Sequence, residues 1–151
     1  MLDVLEKPLG QYKISLKNDD GQLFLATVEL GCRDWNDDKG RRTECRITLR
    51  WIGGEIECID WNFFESFKRV REQLALQYLY PMCYGASRNV VITGMAADMG
   101  LGMKVYKVEI NNSFNLGQLV HIFASGKDVE PVSVMVQEDF QREWVKSRRK
   151  K

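Results

Sequence analysis

Residues 43–77 read TECRITLRWIGGEIECIDWNFFESFKRVREQLALQ, and the hydrophobic period changes once within them. From Thr43 to Ile52 the pattern is two-fold: Cys45, Ile47, Leu49 and Trp51 face one way, and Glu44, Arg46, Thr48 and Arg50 the other. A strand with one buried and one solvated face reads this way, which is the mark of an antiparallel sheet. Gly53 and Gly54 turn the chain back into Glu55 to Trp61, where Ile56 and Cys58 keep the alternation. At Asn62 the period lengthens. Phe63, Phe67, Val70 and Leu74 fall at i, i+4, i+7 and i+11, with Phe64 beside them, while Lys68, Arg69, Arg71 and Glu72 take other positions. This spacing predicts an amphipathic helix from about Asn62 to Gln77, capped by Asp60 or Asn62.

The same two periods recur on either side. Gln11 to Lys17 alternates through Tyr12, Ile14 and Leu16, and the Asp-Gly pair at 20–21 signals a hairpin into Leu23–Leu30. The stretch GCRDWNDDKGRR, residues 31–42, is polar and reads as a loop. After the helix, Tyr78 to Tyr84 contains Pro81 and reads as an edge strand or extended segment. Met103–Ile110 and Gln118–Phe123 read as strands, with turns at 111–115 and 125–128. Met135 to about Arg148 reads as a helix with Val136, Phe140 and Trp144 on one stripe. Together these elements predict an α+β fold. It is a single antiparallel sheet of six to seven strands with two helices packed on one face, one domain over residues 1–151.

Between the edge strand and the next lies YGASRNVVITGMAADMGLGMK, residues 84–104, with glycines at 85, 94, 100 and 102. A phosphate-binding P-loop needs four residues between its glycines and a Gly-Lys pair. Here five residues separate Gly94 from Gly100, and Leu101 follows. A dinucleotide fingerprint needs a third glycine and a following helix; Gly100-Leu101-Gly102 supplies half of it and leads into a strand. Nucleotide binding is therefore not expected. An ordered loop or short helical turn fits better, with Met95, Met99 and Met103 buried at four-residue spacing and Arg88, Asn89 and Asp98 holding it. If it served a ligand or an enzymatic reaction, those three side chains would be the pocket.

Other chemistry finds little support. Histidine occurs once, at His121 within the apolar LVHIF, where packing is the commoner role than general base. Cys83 could act as a nucleophile, but nothing identifies a base for it. Arg88 and Asp98 suit a salt bridge better than acid–base work. The four cysteines, at 32, 45, 58 and 83, contain no C-x-x-C pair, so no metal site is expected, and they read as buried small apolar groups. No catalytic residue and no cofactor is expected. Formal net charge is +1, unlike a nucleic-acid-binding domain. The segment from Glu138 to Lys151 carries +3, leaving −2 for the rest, and its KSRRKK end lacks interleaved aromatics. No apolar run approaches the roughly 20 residues of a membrane-spanning helix. The acids Asp3 and Glu6 argue against a signal peptide, so the expected location is the cytoplasm. The three acids Asp34, Asp37 and Asp38 with Trp35 suit contact with a basic protein.

The segments YGASRN, GMAADMGLGMKVYK and HIFASGKDVEPVSVMVQEDFQREW, between about Tyr80 and Trp144, resemble small bacterial immunity proteins of polymorphic toxin and contact-dependent growth inhibition systems. The resemblance implies a cytoplasmic protein that binds one cognate toxin domain, such as a nuclease, and occludes its active site, with neither catalysis nor cofactor. The candidate contact residues are then Asp34, Trp35, Asp37, Asp38, Arg88 and Asp98.

Overall fold

The computed structural model describes residues 5–109 and 116–149. The alternating stretches form four consecutive antiparallel strands: β1 (Lys7–Asn18), β2 (Leu23–Asp37), β3 (Gly40–Trp51) and β4 (Gly54–Asp60). Asn18 sets the first turn, its side-chain oxygen accepting from the N–H of Asp20 and Gln22. β5 (Leu79–Pro81) adds to the other edge of β1, giving the order β4-β3-β2-β1-β5. The inner face of this sheet is apolar, with Leu16, Val28, Leu30, Ile47 and Leu49 fully buried. The outer face carries alternating arginines and glutamates. Arg46 bonds Glu6 and pairs with Glu29 and Glu57, and Arg50 bonds Glu29 and Glu55. Thr48 is buried beneath this ionic layer.

The helix α1 (Phe63–Ala75) lies on the inner face against β3, β4 and β5. Of the two candidate caps, Asn62 is the one used: its side chain accepts from Glu65 N at 2.9 Å. Phe63, Phe64 and Phe67 are fully buried, each contributing about 1.5–3 kcal/mol through lost water contact.

The expectation of one six- to seven-stranded sheet with two helices on one face needs correction. β5 is three residues long and ends at Pro81, which has no N–H to extend a ladder. A 3-10 turn at Tyr84–Ala86 then redirects the chain, and β6 (Val90–Val91), β7 (Lys104–Lys107) and β8 (Leu119–His121) build a second, three-stranded antiparallel sheet. A third helix, α2 (Gly94–Met99), connects β6 to β7. The last helix, α3 (Val134–Arg149), packs against α1 and β6 rather than beside α1 on the larger sheet. Val90, Val105, Val120 and Ile122 join the main core, while Val91, Val108, Phe140 and Trp144 form a smaller cluster under α3. Val136 is exposed, and the buried stripe of α3 runs through Gln137, Phe140 and Trp144. The turn expected at 111–115 and the two terminal lysines lie outside the described residues. Among the described residues no helix is long and apolar enough to cross a membrane.

Candidate functional site

The polar stretch 31–42 is not a loop. β2 and β3 continue through it, pairing up to Asp37 opposite Gly40. β1 leaves β2 at Cys32, and β4 leaves β3 at Cys45, so residues 33–44 extend past both neighbours as a two-stranded ribbon. Such a ribbon has no core of its own and is marginal in water. Charged cross-strand pairs hold it. Arg41 Nε and Nη2 each bond Asp34 at 3.0 Å, Arg42 bonds Asp37 at 2.8 Å, and Arg33 bonds Glu44. Arg33 also lies 5.3 Å from the centre of the Trp35 ring. Asp37 accepts from Lys39 N at the tip, and Gly40, at φ +114°, closes the turn in a conformation that favours glycine.

This pairing changes the electrostatic reading. The bond from Arg41 holds the Asp34 carboxyl below its usual range, and Arg42 does the same for Asp37. Over residues 33–44, Arg33, Lys39, Arg41 and Arg42 cancel Asp34, Asp37, Asp38 and Glu44. The acids counted in the sequence form part of a neutral, alternately charged ribbon, and the arginines that neutralise them are residues the sequence reading passed over.

Strand alternation divides the expected contact residues between two faces. Asp34 and its cross-strand partner Thr43 lie on the inner side; Trp35 and Asp37 lie on the outer side; Asp38 sits in the turn. The inner side of the ribbon borders α2. Arg41, Thr43, Trp61, Ala97, Asp98 and Leu101 line a shallow groove of about 250 Å³ between them. Asp98 lies near enough to Arg41 to add to the field that keeps its guanidinium charged. Asp34, bonded to Arg41, therefore lies beside the groove that Arg41 and Asp98 line, although Asp34 and Asp98 are 64 residues apart in the chain.

The groove and the exposed part of α2 are apolar in part. Trp61 is 53 % exposed, and Met95 and Met99, one turn apart on α2, are 72 % and 81 % exposed. The expected burial of these two methionines is corrected: α2 has only six residues and buries Ala97 alone. Thr93 caps α2 by accepting from Ala96 N. The segment after it is clamped to α1, because Phe63 N donates to Leu101 O at 2.6 Å. Gly102, at φ +73°, lies where a Cβ would come within 2.6 Å of the capping oxygen of Asn62 and 2.9 Å of Phe64 N.

Arg88 belongs elsewhere. Its guanidinium lies 5.8 Å from the Phe140 ring of α3. Asn89 accepts from the Ser87 hydroxyl through its side chain and from Val108 N through its carbonyl. Arg88, Asn89 and Asp98 thus face different elements and do not converge on one pocket.

The other chemical candidates are built into packing. Cys83 is fully buried, and desolvation pushes its thiol up to about 12, which keeps it protonated. His121 stacks on Tyr12 at 4.6 Å, its Nδ1 accepts from Phe123 N, and burial holds its pKa below the usual histidine value. Tyr84, Lys107 and Asp128 form a triad unseen in the sequence. The Tyr84 hydroxyl donates to Asp128 at 2.6 Å, and Lys107 reaches the same carboxylate at 2.9 Å. The Asp128 bond raises the Tyr84 pKa, so the phenol stays protonated and the triad ties β7 to the 3-10 turn. Among the described residues no three His, Cys, Asp or Glu side chains gather as metal ligands. Comparison with protein-family models gave no match, and comparison with curated proteins gave none either.

Proposed function

We propose that this chain is a cytoplasmic immunity protein: a stoichiometric inhibitor that seats the 33–44 ribbon and the adjoining α2 face on a cognate toxin domain, taken as a nuclease, and covers its active site. The observation that carries the reading is the ribbon itself. It leaves the sheet without joining the core, keeps its shape through its own ion pairs, and stands beside an exposed tryptophan and two exposed methionines. Aromatic and methionine side chains with arginine are the groups enriched in protein interfaces. Because the ribbon's charges cancel, recognition rests on matching individual pairs rather than on net attraction, and salt will slow association only weakly.

The test is co-expression with the C-terminal domain of the protein encoded immediately upstream, scored by growth rescue and by a one-to-one complex on purification. Rescue by the native chain supports the reading. A toxic neighbour that remains active in the presence of this chain overturns it. Reversing Asp34, Asp37 and Asp38 to lysine should weaken the complex at least about tenfold by placing like charges on the ribbon. Unchanged affinity would remove the ribbon from the contact.

A further inference from the structure

A second surface lies apart from the ribbon. The end of α1, β5 and the start of α3 enclose a cleft of about 480 Å³ that shares no lining residue with the ribbon groove. This is the size range of small-molecule sites, roughly 300–1,000 Å³. Its walls are largely apolar: Ala75, Leu76, Tyr80, Pro81, Val132 and Met135. Leu76 and Met135 are 81 % and 71 % exposed, an arrangement that an apolar guest would cover.

Arg71 also lines this cleft, and it is 4 % exposed. Its guanidinium donates to Gln137 Oε1 at 2.7 Å, to Val132 O at 2.8 Å and to Gly85 O at 3.1 Å. All three acceptors are neutral. Gln137, fully buried, is held in turn by Gly85 O and Ser87 O, so the guanidinium is fixed in place from behind. Glu138 and Glu72 act on Arg71 only through space, and Glu138 is itself bonded to Lys68. Among the described residues, no carboxylate pairs with this buried cation. A buried charge without a counter-ion is an expensive arrangement, and an anion entering the cleft would relieve it.

The start of α3 contributes a second, independent feature. Val134 and Met135 open this 16-residue helix at the cleft wall, and its first turn contains no acid to meet the positive end of the helix dipole. Exposed Glu72, also on the lining, disfavours a polyanion such as a phosphate chain. One anionic head and one apolar body fit the remaining space.

We infer that the cleft binds a small amphipathic monocarboxylate, its head on Arg71 and the first turn of α3 and its hydrocarbon body along Leu76, Tyr80, Pro81 and Met135. The experiment is isothermal titration of the full chain with sodium octanoate, with 1-octanol and octylammonium as matched probes. Octanoate should bind one-to-one with a Kd of roughly 0.1–1 mM, as ten heavy atoms at ordinary ligand efficiency allow. Octanol and octylammonium should bind at least about tenfold more weakly, because they lack the charge that meets Arg71. Arg71→Met should abolish binding. Leu76→Asp and Met135→Asp, on exposed positions that leave the core intact, should each weaken it about tenfold by placing a carboxylate beside the ligand. No octanoate binding at 10 mM, equal binding of octylammonium, or unchanged affinity in both surface variants would each overturn the assignment.

Discussion

Gly102→Ala tests how the α2 segment is clamped to α1. At φ +73° an alanine is held in the left-handed region at a cost of about 1–2 kcal/mol. Its Cβ would also fall 2.6 Å from Asn62 Oδ1, so the capping side chain must move away and its bond to Glu65 N is lost, costing about 1 kcal/mol more. Phe64 N, 2.9 Å from the same position, is backbone and yields less readily. The sum is roughly 2–3 kcal/mol, which lowers Tm by about 4–12 °C for a domain of this size. Urea unfolding of the native chain, Gly102→Ala, Asn62→Ala and the double variant completes a cycle. Asn62→Ala alone removes the cap. Because it also removes the oxygen that the new methyl would meet, the second substitution should cost about 1 kcal/mol less in that background than alone. A loss below about 0.5 kcal/mol for Gly102→Ala, or a strictly additive cycle, would show that the loop yields freely and is not clamped to α1.

Three further outcomes follow from other sites. Burial lowers the His121 pKa in the folded chain, so the unfolded chain binds more protons as pH falls below about 6.5; stability is full above that value and declines through the folded pKa, and His121→Gln should flatten unfolding curves measured between pH 7 and 5. All four cysteines are buried with raised pKa values, so Ellman's reagent should report almost no reactive thiol in the native protein and four after denaturation; rapid native labelling would contradict the packing. Arg71→Met takes the donor from Val132 O and from the buried Gln137 Oε1 and should cost about 2–4 kcal/mol in urea unfolding, whereas a neutral change would show that the network is dispensable.

The strands and the first helix were legible because their side chains obey one period over many residues. Cys45 to Trp51 and Phe63 to Leu74 each bury one side against the same core, and a core imposes periodicity. The ribbon was misread because residues 33–44 have no core on either side, so polar groups occupy both faces and the two-fold pattern disappears. β7 and β8 fall within the expected strands Met103–Ile110 and Gln118–Phe123, but β6 and the separation into a second sheet were hidden, because β6 has two residues and β8 three, too few to show by their period which sheet they join. Met95 and Met99 have helical spacing, but a helix of six residues lacks the length to bury them. Arg71 and Gln137 carried a usable signal. Arg71 follows Phe67 by four residues and precedes Leu74 by three, and Gln137 precedes Phe140 by three, so both lie on buried stripes where a polar residue needs a partner. Asp34 and Asp98 meet only through the fold, and no local pattern joins them.

The ribbon has a consequence for how such a protein changes over time. Its twelve residues are held mostly by bonds among themselves, and few of them touch the core that stabilises the domain. A substitution there changes the outline of the ribbon while the strands behind Cys32 and Cys45 keep their register. On the proposed function, lineages that diverge under pressure to match a changing opponent can therefore vary this segment in paired steps, one acid with its facing arginine, without eroding the scaffold. If the ribbon is the contact proposed above, transplanting residues 33–44 between descendants of this fold would carry the preference for a partner with them.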